Sequence, residues 1–127
     1  MRPVSDHRVR LLTLETSYGC LLDAVIYEPR GRTDGTAVLH LHGKGSSFLG
    51  GPGRFIPPRS ATGIVHMSLN MRFRDLGYTR TDIPSEDFTT GQVPVAGGWW
   101  ESIAAGPTDI RAATDFLRAE GLSRIFV

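Results

Sequence analysis

The residue types best suited to chemistry stand together in His42-Gly43-Lys44-Gly45. This tetrapeptide directly follows a short apolar run, and ligands of open α/β sheets bind beyond the carboxyl ends of strands. Glycines at 43 and 45 permit backbone conformations and close approaches that a side chain would block. Backbone N–H groups turned into such a space can hold a developing oxyanion, at about 3 kcal/mol per donor. The plainer alternative is a glycine-rich turn carrying a surface lysine. Lys44 is the single lysine beside thirteen arginines, an excess that biased base composition explains as well as any function would.

Competing chemistries find less support. A Walker loop needs Gly at 38 and Ser or Thr at 45, where Val38 and Gly45 stand. A dinucleotide fingerprint needs Gly at Phe48. His40 and His42 are two apart, hence on one face if the strand continues, a spacing that admits a metal ion. No third ligand cluster adjoins them, so no metal site is expected, and His66 within a strand reads as packed or hydrogen-bonded. A serine nucleophile needs Gly-x-Ser-x-Gly at a strand-to-helix turn. The stretch Gly45–Gly50 is one residue too long for it, so Ser46 and Ser47 read as loop hydroxyls. Arg72 and Asp75 follow the carboxyl end of another strand and are candidates for a substrate loop, as is Trp99. The pair Trp99-Trp100 reads as an aromatic lid or as a cap on the core, with the cap favoured. The remaining loop charges read as solvated surface.

These residues need a scaffold. His7–Thr16 reads as a half-exposed strand, Ser17–Cys20 as a turn and Leu21–Glu28 as a second, alternating strand, together an antiparallel hairpin. Thr36–Leu41 is nearly all apolar, as in a parallel strand buried on both faces. A weak helix is expected around Arg54–Thr62, limited by Pro57 and Pro58. Gly63–Leu69 reads as a strand and Asn70–Gly98 as a long irregular connection. Pro107 at a first helical position, Thr108 and Asp109 in the first turn, and Ile110, Ala113, Phe116 and Leu117 on one face predict a helix that stops at Gly121. Leu122–Val127 closes the chain as a strand. The order β-β-β-α-β-α-β predicts an α/β fold: a hairpin feeding a mostly parallel sheet with crossover helices.

Bulk properties narrow the function classes. The 127 residues suit one domain. Fourteen basic against thirteen acidic residues give +1, no electrostatic footprint for nucleic acid or acidic lipid. The single Cys20 excludes an internal disulfide framework and a thiolate zinc site. No apolar run approaches the roughly 18 residues of a membrane span, and Met1–Arg10 lacks the apolar stretch of a secretory signal. A reduced, cytoplasmic setting is expected, with no cofactor.

Taken in order, these pieces resemble the N-terminal half of an α/β-hydrolase. The opening hairpin, the strand ending in His42-Gly43, the strand ending in Leu69-Asn70-Met71-Arg72, and the helix Asp109–Glu120 carry the resemblance. Gly97-Gly98-Trp99-Trp100-Glu101 followed by Asp109-Ile110 is similar to esterase-like members. The resemblance implies that Lys44 gives a backbone N–H to an oxyanion hole, with His42, Gly43 and Gly45 shaping its loop. It implies that Ser123–Val127 is the strand that runs into the nucleophile elbow, lying beside Thr36–Leu41. Nucleophile, acid and base would then follow residue 127. The expectation is the N-terminal part of one hydrolase domain, inactive alone, whose complete form is a serine hydrolase acting on a small-molecule ester without nucleic-acid or membrane partners. Dehalogenation, epoxide opening and C–C bond hydrolysis use the same scaffold, and fold does not choose among them. From a different class, a non-catalytic module would use the exposed edge strand to pair with a partner.

Overall fold

The opening hairpin follows from two segments of alternating polarity joined by a turn that only glycine closes without strain. β1 (His7–Glu15) and β2 (Leu21–Pro29) pair antiparallel along their whole length, from His7 opposite Pro29 to Glu15 opposite Leu21. Thr16 and Gly19 close the connection through a backbone hydrogen bond of 2.9 Å, and Gly19 sits at φ 76°, a left-handed conformation. The computed structural model describes residues 7–43, 46–50, 63–72, 78–79, 95–96 and 106–127. The helix expected around Arg54–Thr62 lies outside them.

β3 (Thr36–Leu41) and β4 (Val65–Leu69) are parallel neighbours, with Ala37 opposite Val65 and Leu41 opposite Leu69. β4 also pairs antiparallel with β2. Within the stretch expected to be irregular, β5 (Tyr78–Thr79) and β6 (Val95–Ala96) pair antiparallel. Two-residue strands carry no period that a sequence could display. After helix α1 (Gly106–Ala119) the chain returns as β7 (Arg124–Phe126), parallel to β3. The five-stranded order is β1-β2-β4-β3-β7, so the last strand lies beside Thr36–Leu41 as expected. The fold is a partial α/β architecture, with one helix among the described residues.

Strand order sets burial. β4 is central and buried throughout, whereas β3, next to the edge, is half-buried at Val38, His40 and Leu41. The apolar run alone predicts full burial for β3, and its place beside the edge strand is what reduces it. One sheet face carries the core: Leu14, Leu22, Ala24, Ile26, Ala37, Leu39, Val65, Met67 and Leu69. Ala113 and Leu117 of α1 pack into that cluster, with Ile110 and Phe116 at its margin. Burying each large side chain of this set contributes about 1.5–3 kcal/mol.

α1 ends where its signals place it. Gly121 adopts φ 86°; its N–H donates to the Arg118 carbonyl and that of Leu122 to the Leu117 carbonyl. This pair of bonds satisfies two final carbonyls, and Leu117 meets Leu122 in the core. Leu122 and Ser123 are thereby used in the stop, and β7 begins two residues later than expected. At the other end of β3, Asp34 Oδ1 accepts the Thr36 N–H at 2.8 Å, and Thr36 holds this carboxyl below its usual range. The Gly35 carbonyl accepts from Ser123 and Arg124, aligning the start of β7 with that of β3.

Candidate functional site

Parallel β3 and β4 end side by side, which brings the residues after each carboxyl end together. Those after β3 are His42 and Gly43; those after β4 are Asn70, Met71 and Arg72. His42, Asn70, Met71 and Arg72 are all buried. Backbone polar groups leaving the sheet here lose their ladder partners, and buried ones require replacements.

Side chains provide them. The Met71 N–H donates to His42 Nε2 at 3.0 Å, and His42 Nδ1 lies 2.8 Å from the Gly43 carbonyl oxygen. A backbone N–H can only donate and a carbonyl can only accept. The neutral ring therefore carries its proton on Nδ1 and donates it to Gly43. The Gly43 carbonyl also accepts the Ser46 N–H at 3.1 Å. Farther along, Asn70 Oδ1 accepts the Phe48 N–H at 2.7 Å, and the Ser68 hydroxyl donates to the Phe48 carbonyl at 2.9 Å. The Asn70 N–H donates to the Asp23 carbonyl at 2.8 Å. The segment leaving β3 is thus tied to β4 at two points.

Gly43 is exposed, and a Cβ built on it meets nothing within 4 Å. It is not among the glycines with positive φ. Its φ does not use the conformational freedom expected of this glycine, and among the described residues nothing fills the space beside it.

Arg72 is anchored to the first turn of α1. Its guanidinium donates from Nε and Nη2 to Asp109 Oδ1 at 2.9 and 2.7 Å, and from Nη2 to Thr108 Oγ1 at 3.1 Å. Its backbone N–H donates to Asp109 Oδ2 at 3.0 Å. Asp109 is fully buried and Arg72 is 3% exposed. Asp109 lies in the first turn of α1, where a negative charge also meets the positive end of the helix. The sequence marks Asp109 as a first-turn acid and gives no sign of its partner, 37 residues away. Asn70 is likewise legible only as a strand-end residue.

The two histidines flanking Leu41 do not share a ligand position. His40 Nε2 lies 2.9 Å from His66 Nδ1, with the rings stacked at 5.2 Å between centroids. β3 ends at Leu41, so the alternation that would have aligned His40 with His42 stops there. Among the described residues the buried His66 Nε2 has no hydrogen-bond partner, and burial, with His40 and His7 nearby, pushes the His66 ring down to about 4. Lys44, Gly45, Asp75 and Trp99 lie outside the described residues. Among the described residues, no helix is long and apolar enough to cross a membrane.

No family profile matches this sequence, and no curated protein matches it. Solved structures do. A cold-adapted esterase from an Arctic intertidal metagenomic library, bound to polyethylene glycol, superposes with TM-score 0.60 at 25% identity, covering 94% of this chain and 48% of its own. A zinc-bound structure of a cold-adapted esterase from such a library gives TM-score 0.54 at 23% identity, covering 98% and 47%. A hypothetical protein from Pseudomonas aeruginosa gives TM-score 0.64 at 19% identity, covering 97% and 35%. This chain spans less than half the length of each of these structures. Hairpin, parallel strands and helix together form an α/β-hydrolase-like fold.

Proposed function

We propose that this chain is the part of a serine ester hydrolase that carries the oxyanion loop, with His42–Gly45 as the loop and the N–H of Lys44 as one donor. The observation that carries this reading is the Gly43 carbonyl, held by the His42 ring and the Ser46 N–H at the carboxyl end of β3. In a trans peptide the carbonyl and the following N–H point in opposite directions. A carbonyl held by the protein is the arrangement in which the following N–H would be left for substrate. The open space beside Gly43 suits the approach of an acyl group.

In the reaction a serine oxygen attacks the ester carbonyl, and charge develops on the carbonyl oxygen. A preorganised N–H stabilises that charge more than it stabilises the ground state, which lowers the barrier. Nucleophile, acid and base are assigned to residues following Val127 in a longer product, a reading supported by the 48% coverage of the esterase neighbour. The 127-residue chain alone then has no turnover, because acyl transfer needs all these roles together. The substrate is a small-molecule ester. Cys20 is the single cysteine of the sequence and is buried, which suits a reducing, cytoplasmic setting.

Labelling the intact gene product with a fluorophosphonate tests the reading. The expected result is one modified serine and loss of p-nitrophenyl acetate hydrolysis in step with labelling. A folded product that neither labels nor hydrolyses esters contradicts it. The edge position of β7, with Phe126 and Val127 exposed, favours a second reading, a binding module that pairs this strand with a partner. A 127-residue chain that is monomeric and unfolds cooperatively supports the module; one that aggregates supports the hydrolase part.

A further inference from the structure

We infer that Arg72 and Asp109 are a positioning pair for the His42–Gly43 corner, and that Arg72 is not a substrate contact. The inference rests on the reading of that corner as an oxyanion loop. Asp109 grips Arg72 twice, with Oδ1 on the guanidinium and Oδ2 on the backbone N–H. Side chain and main chain of one residue are thereby referred to a single buried carboxylate on α1. Fixing the Arg72 N–H fixes the plane of the Met71–Arg72 peptide and limits the rotation of Met71. The Met71 N–H is the donor that holds His42 Nε2, and His42 Nδ1–H in turn holds the Gly43 carbonyl. A continuous path of hydrogen bonds and one peptide link thus runs from the first turn of α1 to the Gly43 peptide.

The chemistry of each member is specific. Met71 donates, so Nε2 must accept; Gly43 accepts, so Nδ1 must carry the proton. Only one tautomer fits, and its fit depends on where Met71 is held. Arg72 suits its role because a planar fork binds one carboxylate oxygen through two N–H groups, which a lysine cannot do. Both partners are buried, and the guanidinium donates to Asp109 and Thr108.

The test uses the full-length protein with Asp109→Asn, which keeps the side chain's shape but replaces one acceptor oxygen with a donor. Turnover is expected to slow by about 10-fold or more while KM stays within about 2-fold, equally for a neutral and an acidic ester, since only transition-state positioning is lost. A rise in KM confined to the acidic ester makes Arg72 a substrate contact and overturns the inference. Arg72→Lys is expected to slow turnover likewise. Independently of activity, nitrogen NMR of His42 is expected to show the Nδ1–H tautomer in the wild type and altered ring signals in Asp109→Asn. Unchanged His42 signals overturn the inference. If the wild-type protein hydrolyses no ester, the proposed function falls, and the ring signals decide this inference alone. If Asp109→Asn does not fold, Thr108→Val, which removes one bond to Nη2, gives the same readout with a smaller expected shift; no shift there overturns it.

Discussion

His66 shows how much one buried nitrogen sets. Whichever of His40 and His66 carries the shared proton, His66 Nε2 is left buried with no partner among the described residues. An unsatisfied buried polar atom costs about 1–3 kcal/mol. With the folded ring titrating at about 4 and the unfolded one at 6.5, the folded state binds fewer protons between those values. Stability from this site is therefore full above pH 6.5 and declines as pH falls toward 4, by about 2 kcal/mol between pH 7 and pH 5. Urea unfolding at both pH values is expected to show that slope, reduced in His66→Gln. An equal slope in the variant would assign the pH dependence to other groups. Gly43 separates structure from function at the same scale. Its φ is ordinary and the space for a Cβ is open, so Gly43→Ala is expected to leave stability within about 0.5–1 kcal/mol. If an acyl group occupies that space, ester hydrolysis falls while the melting temperature does not.

Element by element, legibility follows the length of the period. The nine-residue strands β1 and β2, the apolar run of β3 and the one-sided pattern of α1 each repeat often enough to declare themselves. The stop at Gly121 is legible because a left-handed residue after a helix demands glycine. Gly121→Ala is expected to cost about 1 kcal/mol. Leu117→Ala, which empties a fully buried position between α1 and the sheet, is expected to cost about 2–5 kcal/mol; chemical denaturation measures both. The contacts that organise the site are not legible. Arg72 and Asp109 lie on different elements, and an acid in a first helical turn is already explained by the helix itself. The positions of His42 and Gly43 can be read from the sequence, whereas the bonds that hold them depend on β3 and β4 ending side by side.

At the scale of the whole molecule, the sheet order places the candidate loop and the open edge on neighbouring strands. β3 ends in His42-Gly43, and β7 beside it leaves Phe126 and Val127 more than half exposed. An edge strand presents unpaired N–H and C=O groups. On the proposed function, the backbone N–H at position 44 holds an oxyanion. Proline at 44 deletes that N–H, while alanine keeps it. The measurement is the catalytic efficiency of the full-length protein on a small neutral ester, for Lys44→Ala against Lys44→Pro. The proline variant is expected to be about 100- to 1000-fold slower than the alanine variant with both equally folded; equal rates would contradict the proposed role of that N–H.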